Sequence, residues 1–294
     1  MLRNEKPVNA LTVDVEDFVP AYLDSRLAIS EGVVGEAHRV LELFARYNVR
    51  GTFFVLGVVA KAFPKLLREI AMLGHEIGVH GWAHTPLWNL EPEKFRSELL
   101  DARRVVEDAV GIRVEGFRAP CFSVVRRTWW ALAIIEECGF RYDSSVFPAV
   151  FPGQGYGIRN AACHPFPVSP RLTEFPLTAL SLLHWRVPAA GGGYLRFFPL
   201  ALHRLAINAM NRKGHPAVVY LHPWELNVGQ LKTLPSQIGK IDRFLQGYNR
   251  SRQEKKLSAL LSEFPFLPMR EVLARVALSK EEVDLRTVRS NSIA

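Results

Sequence analysis

Short runs dense in β-branched and aromatic residues alternate along the chain with stretches whose apolar positions recur every three to four residues. Residues 9–15 read as a buried strand. Residues 35–47 read as a helix with Ala37, Val40, Leu41 and Phe44 on one face and Asn48 as its stop. The same alternation continues with a strand at 51–56, then a helix opened by Pro64, striped by Leu66, Leu67, Ile70 and Leu73, and ended by Gly74. A strand at 76–80 precedes a helix that starts at Pro92, carries Phe95, Leu99, Ala102 and Val106, and closes at Gly111. Strand character returns at 114–117, a helix spans 128–137 up to Gly139, and residues 216–222 form one more buried strand. Between 147 and 193 the chain is crowded with Pro and Gly and reads as an elaborated loop region. Residues 253–276 hold a helical end with Leu257, Leu260, Leu261 and Phe264.

Repeated strand and helix of this length predicts a parallel sheet with crossover helices, either a barrel or a doubly wound sheet. Neither GxGxxG nor GxxxxGK[ST] follows the first strand, which counts against a nucleotide site and puts the barrel ahead. The 294 residues are 48% hydrophobic and 22% charged, which excludes a disordered or collagen-like chain. The three cysteines, Cys121, Cys138 and Cys163, form no CxxC pair, so neither a disulfide scaffold nor a thiolate zinc site is expected. A formal charge of +8 favours an anionic partner, but nothing beyond that charge supports nucleic-acid binding. The opening segment lacks the apolar core of a secretory signal, and no run reaches the ~18 apolar residues of a membrane span. The expected location is therefore cytoplasmic. The cationic stretch 240–256, read first as a solvated helix face, is where the chain would meet the inner membrane or an anionic glycan.

Candidate chemistry gathers at four strand ends. The first strand runs into Asp14-Val15-Glu16-Asp17, three carboxylates where an apolar segment meets a loop. Strand alternation sends Glu16 to the side of Asp14, while Asp17 sits at the loop. The third strand ends in His80-Gly81-Trp82-Ala83-His84, whose imidazoles can converge with one carboxylate on a metal ion. Gly81 stands where the helical HExxH peptidase pattern needs Glu, so that chemistry is disfavoured. Arg118 and His222 close two further strands, suited to fixing a carboxylate and to general acid catalysis. Each set has an ordinary explanation: a solvated acidic turn, two surface histidines, an ion pair, a capping histidine. Four such sets at four strand ends of one chain point to an active site at the carboxyl edge of the sheet.

The segments TVDVED, HGWAH, FRAP and YLH, in this order, resemble the motifs of the polysaccharide deacetylases of carbohydrate esterase family 4, the nodulation-protein-B homology fold. Tyr248-Asn249-Arg250 and residues 256–261 ahead of Phe264 resemble the tail of deacetylases encoded with bacterial exopolysaccharide and exosortase (PEP-CTERM) systems. The resemblance implies an α/β fold, a distorted (β/α) barrel of seven or eight parallel strands, with residues 1–225 as the deacetylase domain. Residues 226–294 are then an extension packed on the barrel, with a disordered tail. It implies Asp14 as general base, His80 and His84 as metal ligands with Glu16 or Asp17 as the third, Arg118 holding Asp14, and His222 as general acid. Leu221 would line the pocket for the acetyl methyl group. Cys121 replaces the family's usual Tyr, and its backbone N–H is the group expected to face the oxyanion. Trp82 and Trp224, next to these residues, are candidate sugar-stacking faces.

The implied activity is hydrolysis of N-acetyl groups from N-acetylhexosamine units of a bacterial polysaccharide or its precursor, with release of acetate. Zn2+ is the default ion, and Co2+, Mn2+ or Fe2+ suit the same ligands. The implied partners are an N-acetylated glycan and the exopolysaccharide assembly machinery. Two other readings share the residues: an amidohydrolase of small amides or ureides, and a catalytically silent glycan-binding subunit.

Overall fold

The computed structural model describes residues 7–23, 27–149, 156–158, 161–182, 185–189, 191–232 and 239–276. The first half alternates as its hydrophobic pattern requires: β1 (Asn9–Val15), α1 (Phe18–Tyr22), α2 (Gly32–Arg46), β2 (Thr52–Val55), α3 (Gly57–Ala62), α4 (Pro64–Met72) and β3 (Glu76–Val79). It continues with α5 (Pro92–Val110), β4 (Gly116–Phe117), α6 (Ala131–Glu137) and β5 (Tyr142–Asp143). The second half holds β6 (Phe166–Pro167), β7 (Thr173–Glu174), the antiparallel pair β8 (Ala179–Leu182) and β9 (Trp185–Pro188), α7 (Gly192–Phe197) and α8 (Leu200–Arg212). It ends with β10 (Val218–Leu221), α9 (Lys240–Gly247), α10 (Arg250–Glu263), β11 (Phe266–Leu267) and α11 (Met269–Leu273).

The main sheet runs β10-β1-β2-β3-β4-β5-β7-β6, with β11 pairing the start of β1. Every pairing from β10 through β7 is parallel, and only β6 runs antiparallel at the edge. The sheet curls into a half-barrel, and no pairing joins β10 to β6 among the described residues. This is the expected parallel α/β barrel, left open on one side.

Alternation along each strand decides what the two faces of the sheet hold. Val13, Val15, Phe53, Val55, Ile77, Val79, Phe117 and Leu221 point outward into the main core, where the apolar stripes of α2, α4 and α5 cover them. Ala10, Phe54, Tyr142, Phe175 and Tyr220 point inward and fill the barrel with a second cluster. Thr12 and Asp14 share that inward face, so β1 delivers Asp14 to the interior by register alone.

Gly111 and Gly116 are among the glycines that the geometry requires. Gly111 ends α5 with φ +72, a left-handed conformation that costs other residues about 1–2 kcal/mol. At Gly116 a Cβ would lie 2.1 Å from the Tyr142 phenol, which donates to the buried Glu76 at 2.9 Å.

Several elements depart from the expected pattern. A single 3-10 turn at Arg126–Thr128 precedes α6, which starts at Ala131. The region expected to be loop contains β6, β7, β8, β9 and the first residues of α7. Helix α8 follows, burying His203, Ala206, Ile207 and Met210 on one face. The tail expected to be disordered lies, from residue 277 on, outside the described residues. Among the described residues no helix is long and apolar enough to cross a membrane.

Candidate active site

The carboxyl ends of β1, β3, β4 and β10 open onto one cavity of about 270 Å³. Asp14, His80, His84, Cys121 and His222 line it together with Tyr22, Trp88, Tyr156 and Tyr220.

Two of these lining residues, His80 and His84, are buried with Glu16, and the three present ligand atoms within 4.8 Å of one another, an arrangement able to hold a metal ion. Glu16 Oε2 lies 2.7 Å from His84 Nε2 and 3.7 Å from His80 Nε2, and it has no hydrogen-bond donor. The far side of each ring explains why. His80 Nδ1 lies 2.9 Å from the Arg118 carbonyl, and His84 Nδ1 lies 3.1 Å from the Ala21 carbonyl. A carbonyl only accepts, so each Nδ1 carries a hydrogen, which leaves Nε2 as the nitrogen that faces Glu16 and is free to ligate an ion. Acceptors facing one another in a dry site repel unless a cation or a proton lies between them, so the donor set fits a divalent ion. The turn that brings both histidines round is left-handed at Gly81 and His84, with φ +78 and +62.

Asp17 is not part of this cluster. Its Oδ2 accepts from the Ser30 backbone N–H at 2.7 Å and ties down the loop after α1. One residue along the chain separates an inward carboxylate from one that caps a loop.

Asp14 is 1% exposed and receives Arg118 Nη1 at 2.8 Å, a bond that the same nitrogen shares with Thr12 Oγ1 at 2.8 Å. Arg118, wholly buried, spends its other donors on the Ser144 carbonyl at 3.0 Å and Ser144 Oγ at 2.9 Å. Its guanidinium also lies over the Phe54 ring at 4.4 Å. These contacts leave the arginine one orientation, and Asp14 is presented to the cavity through it.

His222 closes the opposite wall. Its Nε2 lies 3.3 Å from Glu16 Oε1, and its Nδ1 lies 3.4 Å from Glu225 Oε2, which also accepts the His222 backbone N–H at 3.0 Å. Glu225 is buried, with Arg196 Nε 3.6 Å from its other oxygen. Burial would lower the His222 imidazole, but Glu16 and Glu225 outweigh it and push it to about 9. The Trp224 ring stacks on His222, with centroids 5.0 Å apart and planes 16° apart.

Other residues singled out in the sequence fall elsewhere. Leu221 points into the main core, because alternation gives the cavity face of β10 to Tyr220. Trp82 packs over Gly57 and lines a separate apolar cavity of about 520 Å³. Trp224 is 3% exposed and lies behind His222, so its face is not open to a sugar; Trp88 is the tryptophan that lines the site. Cys121 does border the cavity, with a left-handed backbone at φ +55, and burial pushes its thiol up to about 12.

Sequence reasoning missed Tyr22 and Glu225. The Tyr22 hydroxyl donates to Glu16 Oε1 at 2.6 Å, but the five-residue α1 that carries it is too short for a periodic signal. Glu225 follows His222 by three residues, and that spacing in a Pro-initiated turn was its only sequence signal. Asp143 and Glu174 sit side by side on β5 and β7, wholly buried, with Glu174 Oε1 accepting the Val146 backbone N–H at 2.9 Å. Burial raises both carboxyls, so the pair retains a proton.

Residues 4–142 match the family model of the polysaccharide deacetylases, and residues 144–274 match a domain of unknown function, DUF3473. A peptidoglycan-N-acetylglucosamine deacetylase of Bacillus cereus is 29% identical over 130 residues, 39% of this chain and 47% of that protein. A peptidoglycan deacetylase of Helicobacter pylori is 29% identical over 131 residues, 42% of each. The matches thus span less than half the length of these curated relatives. A crystal structure of a candidate polysaccharide deacetylase from Mycobacterium smegmatis superposes with a TM-score of 0.61 at 22% identity, covering 96% of this chain and 97% of the other, and shares the fold. Residues 4–142 thus match the polysaccharide deacetylase family model, and three of the four strand ends around the cavity, those of β1, β3 and β4, lie within that match.

Proposed function

We propose that this chain is a metal-dependent N-deacetylase of N-acetylhexosamine units in a bacterial polysaccharide or its precursor. The observation that carries the reading is the buried cluster of Glu16, His80 and His84, whose two histidines line one cavity with an aspartate fixed by Arg118. His80, His84 and Glu16 would hold the ion, with zinc the default for two imidazoles and a carboxylate. A bound divalent ion supplies Lewis-acid polarisation of the amide carbonyl and lowers the pKa of water toward ~7.

The chain's own residues do the rest. Asp14, free of the cluster and aligned by Arg118, accepts the proton of the attacking water. The Cys121 backbone N–H donates to the developing oxyanion, a role its thiol does not enter. His222, aligned by Glu225 and backed by Trp224, donates a proton to the departing amine nitrogen, without which the C–N bond has a poor leaving group. The products are acetate and an amino sugar.

The likeness of residues 248–264 to exosortase-associated deacetylases supports an exopolysaccharide or its lipid-linked precursor as substrate, handled at the cytoplasmic face with its assembly machinery. In the same reading residues 1–225 form the deacetylase unit and 226–294 its extension. Acetate release from chitooligosaccharides, measured beside a panel of small amides and ureides, tests the proposal. Turnover on the glycan that is lost in His80→Ala and Asp14→Asn supports it. Turnover confined to the small amides, or unaffected by both substitutions, overturns it.

A further inference from the structure

A carboxylate ligand can bind through one oxygen or two, and it swings between the two modes unless something holds it. In this chain Glu16 Oε1 accepts the Tyr22 hydroxyl at 2.6 Å and the Trp224 indole N–H at 3.3 Å, and His222 Nε2 lies 3.3 Å from the same oxygen. Oε2, at the other end of the same carboxylate, has no hydrogen-bond donor and faces both imidazoles. We infer that the Tyr22 hydroxyl, helped by the Trp224 indole, fixes Glu16 as a one-oxygen metal ligand by occupying Oε1. This inference rests on the metal reading proposed above and names positioning residues that the four strand-end motifs do not contain.

The local architecture favours that role over simple packing. Helix α1 orients two of the three ligands from neighbouring residues: the Ala21 carbonyl takes His84 Nδ1 at 3.1 Å, and Tyr22 takes Glu16. The Tyr22 ring lies over His84 with centroids 5.0 Å apart, and Phe18 fills the space behind, 5.5 Å from Tyr22 and 4.8 Å from Trp224. Tyr22 is 42% exposed, yet its hydroxyl reaches the wholly buried carboxylate, where a hydrogen bond to a charge is about twice as strong as a neutral one. A residue serving only as a lid would not need that oxygen.

Tyr22→Phe keeps the ring over His84 and removes only the donor. The test titrates Zn2+ into wild type, Tyr22→Phe and His84→Ala against a chromophoric chelator, and records the visible spectrum of the Co2+ forms. Circular dichroism checks the fold. Wild type should bind one equivalent, His84→Ala should lose the site, and Tyr22→Phe should bind about 10–100-fold more weakly with a shifted cobalt band. Trp224→Phe, which removes the second donor, should weaken binding in the same direction and serves if Tyr22→Phe does not fold. Zinc affinity within twofold of wild type and an unchanged cobalt spectrum in the folded variants overturn the inference while leaving the metal reading intact. Absence of binding by wild type overturns the metal reading, and the inference with it.

Discussion

Arg118→Met is the substitution whose consequences the structure defines most fully. The wild-type guanidinium makes four hydrogen bonds, to Asp14, Thr12 and twice to Ser144, and none of it is exposed. Methionine matches much of its length but leaves the Asp14 carboxylate without its countercharge in a dry site. Breaking a buried pair from one side costs about 3–5 kcal/mol, a large part of the ~5–15 kcal/mol that holds a typical domain together. At roughly 2.1 cal/mol/K of unfolding entropy per residue, 294 residues convert that loss into a fall in Tm of roughly 5–8 °C. The assay is thermal and urea unfolding in chelator, because a bound ion would add its own stabilisation to every variant that retains the site. A cycle with Asp14→Asn isolates the pair: the double variant should lose less than the sum of the singles by about 1.5–3 kcal/mol. Acetate release should fall at least ~100-fold in Arg118→Met even where it is folded, because the base is no longer aligned. Additivity within about 0.5 kcal/mol, or a Tm within 1 °C of wild type, would refute the claim that Arg118 and Asp14 act as a unit.

Glu225→Gln preserves shape and the acceptor for the His222 backbone but removes the charge facing Nδ1; kcat for acetate release should drop about 10–100-fold with KM little changed, and an unchanged kcat would free His222 from Glu225. The Cys121 thiol, pushed up to about 12 by burial and then by Glu16, should resist iodoacetamide at pH 8 while Cys121→Ala keeps turnover within about threefold; rapid labelling by mass spectrometry would contradict this. Burial and then Arg50 lower His75 to about 4, so the unfolded chain takes up this proton first, near pH 6.5; stability should be lost as pH falls from there toward 4, and urea midpoints in His75→Gln should show a shallower decline. Gly116→Ala places a methyl where the Tyr142 phenol lies and should lower Tm clearly, whereas an unchanged Tm would mean that Tyr142 has room to move.

Much of the scaffold was readable because burial imposes period. The stripes of α2, α4 and α5 and the wholly buried β1 follow from side chains that must avoid water, and the strand ends follow from them. His80, His84, Asp14 and Arg118 were visible for that reason: each is a polar residue placed where an apolar run stops. Helix α8 also carried a periodic signal in His203, Ala206, Ile207 and Met210, hidden by the Pro- and Gly-rich segment before it. What stayed hidden depends on the third dimension. Tyr22 reaches Glu16 from a helix of five residues, and Arg196 reaches Glu225 from α7, contacts that no spacing announces. The choice between Glu16 and Asp17 was open in the sequence because both carboxylates sit at one strand end; geometry turns one inward and gives the other to the Ser30 N–H. The tryptophans misled for a related reason: adjacency to a motif residue says nothing about which face of the strand end is open, and Trp224 serves as the floor under His222.

Anomalous diffraction from crystals supplied with one equivalent of Zn2+ tests the account at its centre. The account predicts a single strong peak about 2.0–2.2 Å from His80 Nε2, His84 Nε2 and Glu16 Oε2, with Asp14 close by and outside the coordination sphere. A peak bound instead by Asp17 or Asp14, or no peak among the two imidazoles and Glu16, would contradict it.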